Sequence, residues 1–492
     1  MTGVDVLVIG AGPAGLAAAR AARTAGARVV LLDASDVLGG QYWRHPLTGA
    51  RDADVRALQH QWPRFVALRA ALTDDPDCEV VTGAQVWAVD RRDDAPPVVH
   101  VLTGPADGGD RPRRVLAPRA VVLATGAHER TLPFPGWDLP GVHTAGAAQA
   151  MAKGEHLAVG GRVLVAGTGP FLLPVAAGLL HVGATVVGVV EAGSLRRMAR
   201  GWLAPPYRTR PAVLAAKSAE LGGYVRALAA ARVPYRTGAA VLAAHGDSRV
   251  TSVTVSAIDE DWTPRPGTGR RVAVDAVCVS HAFVPRTEIA VSAGCALTAD
   301  GSVRVDATQR TSVPGVYAAG EITGIGGADL ALAEGEVAGR AAAGRATAGG
   351  NVAGGDGGAA EVRRLRNFAD RMHRAHGIRP GWRSWVEDDT VVCRCEEVTA
   401  GRVRAAQAAT GTRGLRSLKL SSRAGLGICQ GRVCGRNLEE LLPEVPLDAG
   451  RTANRPIVVP VRLGEIATPL APPPATPPDP PVAPSVEREA SP

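Results

Sequence analysis

Three glycines near the N-terminus most constrain the fold of this chain. Gly10, Gly12 and Gly15 follow an apolar run over residues 4–9 and precede an alanine-rich run over residues 16–25. A strand, a glycine turn and a helix in this order begin a dinucleotide-binding βαβ unit. Gly10 allows the tight turn, Gly12 lets a pyrophosphate approach the backbone, and Gly15 lets the helix lie close to the sheet.

The predicted helix start and the next strand complete this nucleotide pattern. Pro13 and Ala14 lie at the helix start, where free backbone N–H groups and the positive end of the helix dipole favour phosphate. A second strand over residues 28–32 ends at Asp33, whose carboxylate can accept hydrogen bonds from ribose hydroxyls. Because all these patterns agree, a nucleotide site is favoured over glycines that merely form a turn.

A second βαβ pattern begins at residue 162. A strand over 163–166 leads into Gly167 and Gly169, and a further strand ends at Glu191. The spacing suits NAD or another adenine nucleotide with Glu191 on the ribose, and this acid would repel the 2′-phosphate of NADP. Leu172 stands at the position of the third glycine, so a structural domain without a nucleotide is the alternative.

Two later segments resemble motifs of flavoproteins that contain two dinucleotide-binding domains. One follows an apolar strand over residues 120–123, and the other follows a strand over residues 316–319. In those flavoproteins an acid, usually Asp, contacts the ribityl chain, whereas this chain has the longer Glu321. The resemblance implies an FAD site that includes Gly40, Gln41, Val86, Ala124, Thr125, Gly126, Gly320 and Glu321.

Four of the seven cysteines lie close together near the C-terminus. Cys393 and Cys395 are followed by Cys429 and Cys434, in the pattern C-x-C and C-x4-C. Four thiolates can hold a [2Fe–2S] cluster or a structural zinc ion. The C-x-C spacing, together with a flavin in the same chain, favours the iron–sulfur cluster.

Residues 392–399 and 424–435 carry a more specific resemblance. They resemble the C-terminal module of the flavoprotein A (alpha) subunits of bacterial heteromeric amino-acid dehydrogenases. This family includes the B subunit of hydrogen cyanide synthase and the A subunit of opine oxidase, and the core of sarcosine oxidase alpha is related. The module is similar to bacterioferritin-associated ferredoxin, although that group usually has C-x2-C where this chain has C-x4-C.

This family resemblance implies a division of labour among subunits. A separate B-type flavin dehydrogenase subunit is expected to oxidise the amino or imino acid. The A-type flavoprotein then passes electrons through FAD and the [2Fe–2S] cluster, and a small [2Fe–2S] ferredoxin-like subunit completes the assembly. FMN at a subunit interface is a further candidate cofactor.

We therefore expect an α/β two-dinucleotide-binding-domain flavoprotein with a small iron–sulfur module. The predicted parts are a discontinuous FAD domain (1–150 and 280–348), an NAD-like domain (151–279), a linker (349–361), the iron–sulfur module (362–464) and a disordered Pro-rich tail (465–492).

Composition excludes several other classes of protein. The net charge is +8, but no basic run is interleaved with aromatic residues, which disfavours nucleic-acid binding. The uncharged stretch over 163–190 is interrupted by Gly and Pro, so we expect no integral membrane segment. Scattered cysteines and no visible leader peptide predict a cytoplasmic location.

Other polar residues are interpreted as structural. No C-x-x-C lies beside the flavin motifs, which disfavours a disulfide reductase. His128, Glu129 and Arg130 form a polar triplet that we interpret as a solvated loop in preference to an acid/base cluster. His281 is expected to pack in the core, and Trp382 and Trp385 to pack between domains.

Two alternative functions remain open from the sequence. The second nucleotide fold would suit a stand-alone NAD(P)H-dependent ferredoxin or rubredoxin reductase. The lack of an obvious catalytic residue would suit an assembly protein whose nucleotides are structural and whose cysteines hold zinc.

Overall fold

The computed structural model describes residues 3–47, 52–109, 111–203, 211–348, 356–412, 414–442, 455 and 457–467. These residues form two parallel sheets, several small antiparallel pairings and a C-terminal helical module. The α/β class predicted from the sequence is confirmed.

The N-terminal βαβ unit lies in a five-stranded parallel sheet. Its strand order is β18-β7-β1-β2-β3, and Val6 of β1 is paired with Val29 on one side and Ala120 on the other. Both faces are buried because helices and a second small sheet cover them. The strands are β1 (Val6–Ile9), β2 (Val29–Leu32), β3 (Cys78–Val81), β7 (Ala120–Leu123) and β18 (Val316–Ala318).

Helices α1 (Pro13–Thr24) and α9 (Ala328–Ala348) cross on one face of this sheet at very short range. A Cβ atom at Gly335 would overlap the carbonyl oxygen of Ala14, and one at Gly339 would overlap that of Ala18. Glycines one turn apart on α9 therefore let the two backbones touch, and the alanines of α1 contribute only small side chains to the contact.

The second βαβ pattern lies in its own five-stranded parallel sheet. The order is β12-β11-β10-β16-β9. Pro174 falls in the first turn of its helix, where the missing N–H is tolerated. The elements are β9 (Val142–Thr144), α4 (Ala145–Glu155), β10 (Arg162–Gly167), α5 (Leu172–His181), β11 (Thr185–Glu191), α6 (Leu195–Leu203), α7 (Pro211–Ala230), β12 (Tyr235–Thr237) and β16 (Ala276–Ser280).

Smaller elements connect and cover the two sheets. Antiparallel sheets β4-β5-β6 and β13-β14-β15 each extend one domain, and the ribbon β8–β17 joins the domains. These smaller elements are α2 (Asp52–Leu58), α3 (Trp62–Thr73), β4 (Ala84–Asp90), β5 (Val98–Thr103), β6 (Arg113–Leu116), β8 (Ala127–Arg130), β13 (Ala239–His245), β14 (Ser252–Ala257), β15 (Arg270–Ala273), β17 (Ala282–Pro285), α8 (Glu288–Ala293) and a 3-10 helix (Glu321–Thr323).

The C-terminal module follows helix α10 (Asp356–His376). Two antiparallel strands and three helices surround the cysteines, and the chain then returns to the first domain. The elements are a 3-10 helix (Pro380–Trp385), β19 (Val391–Cys393), β20 (Val398–Thr399), α11 (Ala400–Thr410), α12 (Leu415–Ser422), α13 (Gly435–Leu441) and α14 (Leu463–Ala467).

Two predicted boundaries differ from the structure. Helix α10 begins at Asp356, so the last part of the predicted linker 349–361 is helical, while residues 349–355 lie outside the described residues. Glu465 lies in α14 and forms a buried ion pair with Arg111, so the predicted disorder is wrong for residues 465–467. Residues 468–492 lie outside the described residues.

In the described ranges, the helices are too short or too polar to cross a bilayer.

Candidate functional site

The first glycine turn brings the predicted nucleotide residues together. Gly10 has a φ of +104°, and a Cβ atom there would overlap the carbonyl oxygen of Ala124. At Gly12 the nearest atom to an added Cβ is the Cα of Gly40, 3.9 Å away, so this stretch of backbone can be approached closely. Gly15 packs its Cα against the Gly10 carbonyl, which draws the helix onto the turn.

The start of α1 points at this open backbone. The first intrahelical hydrogen bond runs from Leu16 N–H to the Gly12 carbonyl at 3.0 Å. The N–H groups of Ala14 and Gly15 precede that bond and have no acceptor within the helix. Pro13 occupies the first helical position, where it lacks only an N–H that the helix does not need. These groups fit a pyrophosphate.

Asp33 closes the same site from the end of β2. Its carboxylate accepts hydrogen bonds from Ala11 N–H at 2.6 Å and from Ser35 N–H at 2.7 Å. The side chain is 9% exposed, so the acid anchors the turn while one edge still reaches the surface.

The second flavin motif contacts the first glycine turn. A Cβ atom at Gly320 would be 2.7 Å from the Cβ of Ala14. The Thr125 hydroxyl donates to the Arg286 carbonyl at 2.6 Å, and Gly126 has a φ of +71°. The structure thus brings together the four predicted segments at residues 10–15, 40, 124–126 and 320.

Gln41 and Val86 are engaged in local contacts. The side-chain oxygen of Gln41 accepts a hydrogen bond from Arg44 at 3.0 Å. Val86 is buried in β4, opposite Val101 of β5, and packs against the first parallel sheet.

Glu321 directs its carboxyl group back toward the start of α9. It accepts hydrogen bonds from Gly327 N–H at 2.7 Å and from Gly326 N–H at 3.2 Å. The extra methylene, relative to Asp, gives the side chain this reach. Burial raises the pKa of Glu321 to about 7.

Glu334 lies beside the predicted flavin site, and the sequence motifs did not identify it. Its buried carboxylate accepts hydrogen bonds from Gly320 N–H at 2.9 Å and the Thr323 hydroxyl at 2.8 Å, and it is paired with Arg366 of α10. The only sequence signal was an acid within the alanine-rich helix after the Gly-Glu motif. Glu334 therefore fixes the flavin motif to the helix that precedes the cysteine module.

In the second nucleotide fold, Glu191 is fully enclosed. Its carboxylate lies 2.7 Å from the Thr168 hydroxyl and accepts from Gly169 N–H and Gly193 N–H, both at 2.8 Å. The Nδ1 atom of His376, at the end of α10, lies 3.6 Å away. Glu191 has 0% exposure, so its carboxylate has no accessible surface for a ribose.

The last turn of α10 covers this second glycine turn. The Thr168 hydroxyl lies 3.0 Å from the His376 carbonyl oxygen, and the nearest atom to a Cβ at Gly169 is the Cβ of His376, at 3.9 Å. A Cβ at Gly201 of α6 would be 2.5 Å from the backbone of Ala375. The last turn of α10 therefore lies beside the second glycine turn.

The triplet 128–130 forms part of strand β8, so its interpretation as a solvated loop is wrong. His128 Nε2 lies 2.9 Å from the carbonyl oxygen of Arg432, and burial lowers the His128 pKa. Glu129 accepts from Gly146 N–H of α4 at 2.8 Å, and burial raises its pKa. Alternate side chains of one strand thus face the cysteine module and the second domain.

Arg130 makes the strongest contact of this strand with the cysteine module. Its guanidinium pairs with both carboxylate oxygens of Glu440, at 2.7 and 3.0 Å, and donates to Asn437 at 2.8 Å. Arg130 is 7% exposed. Breaking such a buried pair typically costs about 3–5 kcal/mol.

The four predicted cysteine ligands converge. The Sγ atom of Cys393 lies 3.9 Å from that of Cys395 and 3.7 Å from that of Cys434, and the Cys395 and Cys429 sulfurs are 3.7 Å apart. Gly425 N–H donates to the Cys393 sulfur at 3.3 Å. Because the Cys434 thiol donates to its neighbours, the pKa values of Cys393 and Cys429 are lowered and that of Cys434 is raised. Four sulfurs this close together fit a thiolate-bound metal centre.

Aromatic packing holds the module against the second domain. Trp385 stacks on Trp262 with ring centroids 5.9 Å apart, and its indole N–H donates to the Trp262 carbonyl at 2.9 Å. His281 packs against both rings in the core, where burial lowers its pKa to about 3. The predictions of a core histidine and of packing tryptophans are confirmed.

A cavity of about 1000 Å³ lies where the second glycine turn, α10, β17 and the cysteine module meet. Its lining includes Phe171, Arg304, His373 and Arg436. The cavity also borders His128, so it reaches the strand that follows the flavin turn.

Comparisons with known families agree with this division into parts. Residues 4–339 match the pyridine nucleotide-disulphide oxidoreductase family, and residues 391–444 match the BFD-like [2Fe-2S] binding domain. The predictions of an FAD-type oxidoreductase fold and of an iron–sulfur module are therefore confirmed, and the chain is an oxidoreductase.

Solved structures with a similar fold are more distant. L-proline dehydrogenase from P. horikoshii has a TM-score of 0.63 at 19% identity, over 94% of this chain and 79% of that one. Thioredoxin reductase from T. acidophilum has a TM-score of 0.50 at 23% identity, over 70% of this chain and 98% of that one. Both likenesses concern the fold.

Curated relatives match nearly the whole chain. The A subunit of opine oxidase from Agrobacterium tumefaciens is 33% identical over 94% of this chain and 91% of its own length. The HcnB subunit of hydrogen cyanide synthase from Pseudomonas aeruginosa is 31% identical over 87% of this chain and 90% of its own length. This chain belongs to the family of flavoprotein subunits that includes HcnB and the opine oxidase A subunit.

Proposed function

We propose that this chain is the electron-transferring subunit of a multi-subunit amino-acid or imino-acid dehydrogenase. One observation carries the proposal: the strand that leaves the flavin turn contacts the loop between Cys429 and Cys434, through His128 and the Arg432 carbonyl. The strand after the predicted flavin turn therefore contacts the loop that carries two of the predicted cluster ligands, which supports electron transfer between the two sites. FAD, when bound, exchanges electron pairs, and a [2Fe–2S] cluster exchanges single electrons.

The chain's own residues would bind and orient these groups. The N–H groups at the start of α1 would hold the pyrophosphate, and Asp33 would accept from the adenosine ribose. Gly40 and Gly320 would keep their segments close to the pyrophosphate turn, because a Cβ at Gly40 would be 2.9 Å from the Cα of Gly12 and one at Gly320 would be 2.7 Å from the Cβ of Ala14. Ala124 would lie against the same turn, since its carbonyl oxygen is next to Gly10. Cys393, Cys395, Cys429 and Cys434 would hold the cluster.

We further propose two partner subunits. The relatives are named as subunits, which supports a multi-subunit assembly. In this proposal a B-type flavin dehydrogenase oxidises the amino acid and a small [2Fe–2S] ferredoxin-like subunit completes the complex. None of the seven cysteines, all of which lie in the described ranges, forms a disulfide, which supports a reducing compartment such as the cytoplasm.

NADH is not the proposed electron source. The support is the enclosure of Glu191, which has 0% exposure, and the contact of His376 with the second glycine turn. Rapid mixing of the flavin-loaded protein with NADH should leave the flavin absorbance unchanged. Rapid bleaching would instead support a stand-alone NAD(P)H-dependent ferredoxin or rubredoxin reductase.

FMN is the proposed further ligand, in the cavity beside the second turn. The cavity lies at the upper end of the size range of ligand pockets, and Arg304 and Arg436 on its lining would favour a phosphate. Nucleotides released by heat from the purified complex should include FMN as well as FAD. FAD alone would contradict this assignment.

Cofactor analysis tests the function as a whole. Protein purified without oxygen should contain FAD and two iron atoms per chain, as a [2Fe–2S] centre requires. Cys429→Ser should lose the iron and keep the flavin, whereas Cys295→Ser, a buried thiol in the first domain, should keep both. A protein that holds zinc in place of iron, or no flavin, would refute the proposal.

A further inference from the structure

The four cysteines are unequally exposed. Cys393 and Cys434 are 0% and 3% exposed, whereas Cys395 is exposed and Cys429 is half-buried. The sulfurs of Cys395 and Cys429 lie 3.7 Å apart, so the two accessible sulfurs are neighbours. The centre therefore has one open edge, formed by Cys395 and Cys429.

Apolar side chains surround this open edge. Leu426, Ile428 and Val433 are 37%, 78% and 46% exposed. Gly427 lies against Cys395, because a Cβ there would be 2.5 Å from the Cys395 sulfur, and this contact fixes the loop that carries the two flanking side chains. The core of the module is packed without them, so their exposure is characteristic of a contact surface. We name Cys395, Leu426, Ile428 and Val433 the cluster-edge patch.

Cations border the cluster-edge patch. Arg394 and Arg423 are exposed, and Lys419 packs against the glycine loop before Cys429. Glu396 is already paired with Arg423 at 2.9 Å, and the exposed Glu397 is the other acid in the segment. In this described part of the module, positive side chains therefore outnumber negative ones around the open edge.

We propose that the cluster-edge patch is the docking surface for an acidic protein that carries a one-electron centre. The proposal rests on the electron-transfer function proposed above. A partner with an apolar spot over its own centre and carboxylates around it would match both the patch and its cationic border. Opposite charges would also speed the encounter at low salt. The small apolar area suits the short-lived complexes that electron carriers form.

A binding measurement with matched variants tests the surface. The probe is an acidic plant-type [2Fe–2S] ferredoxin, titrated into the protein after its iron and flavin contents have been measured. Ile428→Glu should weaken binding at least tenfold, since it adds a negative charge to the apolar centre of the patch. Leu463→Glu, at a side chain that is 85% exposed on α14, should leave the dissociation constant unchanged. Raising the salt concentration should weaken binding of the unsubstituted protein.

Each result that differs from these expectations would contradict a specific part of the proposal. Equal binding by the unsubstituted protein and Ile428→Glu, or equal weakening by both variants, would overturn the docking surface. Failure of the iron- and flavin-loaded protein to bind ferredoxin would do the same and leave the proposed function intact. Equal affinity for a basic cytochrome would refute the charge argument. Protein that lacks iron would refute the proposed function and the surface together.

Discussion

Glu321 and Glu334 are acids at opposite ends of one hydrogen-bonded turn beside the predicted flavin site. Glu334 accepts from the N–H of Gly320, and Glu321 accepts from the N–H groups that precede α9. Arg366 neutralises Glu334. Burial raises the pKa of Glu321 to about 7, and the backbone N–H groups offset part of this effect.

Glu321 should make the flavin-free protein less stable as pH rises. Its pKa in the folded state is about 7, against an ordinary value of 4.5. Between these values the folded state binds more protons than the unfolded state, so the free energy of unfolding falls as pH rises. The loss is at most about 3 kcal/mol. Melting temperatures from pH 5 to pH 8 should fall more steeply for the unsubstituted protein than for Glu321→Gln, and equal slopes would contradict this.

Gly427 should control iron binding through the room it leaves for Cys395. In Gly427→Ala the new Cβ would be 2.5 Å from the Cys395 sulfur, so the ligand must move. We expect the iron content per chain to fall by about half or more while the FAD content stays constant. Gly414→Ala is the control, because a Cβ there meets open space. Normal iron content in Gly427→Ala would show that the sulfur position is not limiting.

The glycine and cysteine motifs were predictable at this scale because their spacing alone carries the chemistry. The sequence predicted that Gly10, Gly12 and Gly15 share one turn and that the four cysteines lie together, and the structure brings each set together. Glu334 could not, since its role depends on α10 folding back from a distant part of the chain. Glu191 was assigned to a ribose because the sequence does not show that His376 lies over the same turn.

Helices α1 and α9 show how small residues position a binding site. Their crossing brings Gly320 to the start of α1, where the phosphate groups of a nucleotide would bind. Larger side chains on either helix would separate the second flavin motif from the first. The crossing was not predictable, because its two helices lie far apart in sequence and their glycines have no helical signature.

The same substitution should have opposite effects in two helices. Gly339→Ala places a Cβ on the carbonyl oxygen of Ala18, whereas Gly222→Ala on α7 meets open space. We expect Gly339→Ala to lower the free energy of unfolding by about 1–3 kcal/mol through overpacking. Gly222→Ala should raise it by about 0.5–1 kcal/mol through helix propensity. Denaturant unfolding measures both, and a stabilised Gly339→Ala would disprove the close crossing.

Strand β8 shows that a polar triplet alone does not identify a solvated loop. Three polar residues after a glycine are typical of a loop, but here each of them bonds to a half-buried partner on another part of the molecule. Those partners, on α4 and in the cysteine module, come from sequence positions that no local pattern connects with β8.

Two long-range connections, in addition to the contacts of β8 and of Trp385, hold the cysteine module to the rest of the molecule. Helix α10 contacts both the second flavin motif and the second glycine turn. The segment over residues 457–467, which we name the return segment, ends in α14 and packs against the first domain. In that segment Val458 N–H donates to the Trp87 carbonyl at 2.8 Å, and Glu465 pairs with Arg111 at 2.7 Å. The Pro-rich composition predicted disorder from residue 465 onward. The sequence could not show the contact of Glu465 with Arg111, because the two residues are 354 positions apart.

Weakening the return segment should loosen the module without unfolding the flavin domain. Glu465→Ala removes the carboxylate that receives two bonds from Arg111. We expect faster proteolytic cleavage near residues 455–467, with the flavin spectrum preserved. Glu397→Ala, which removes an exposed carboxylate within the module, should be cleaved at the normal rate. Equal cleavage of both variants would refute a fastening role for this ion pair.

The return segment also imposes an order on biogenesis. Its residues follow the four cysteines in the chain, so the contacts with β4 and β5 can form only after the cysteines have been translated. Until then the loop between Cys429 and Cys434 lacks the hydrogen bond from Arg432 to the Val458 carbonyl and is held by fewer contacts.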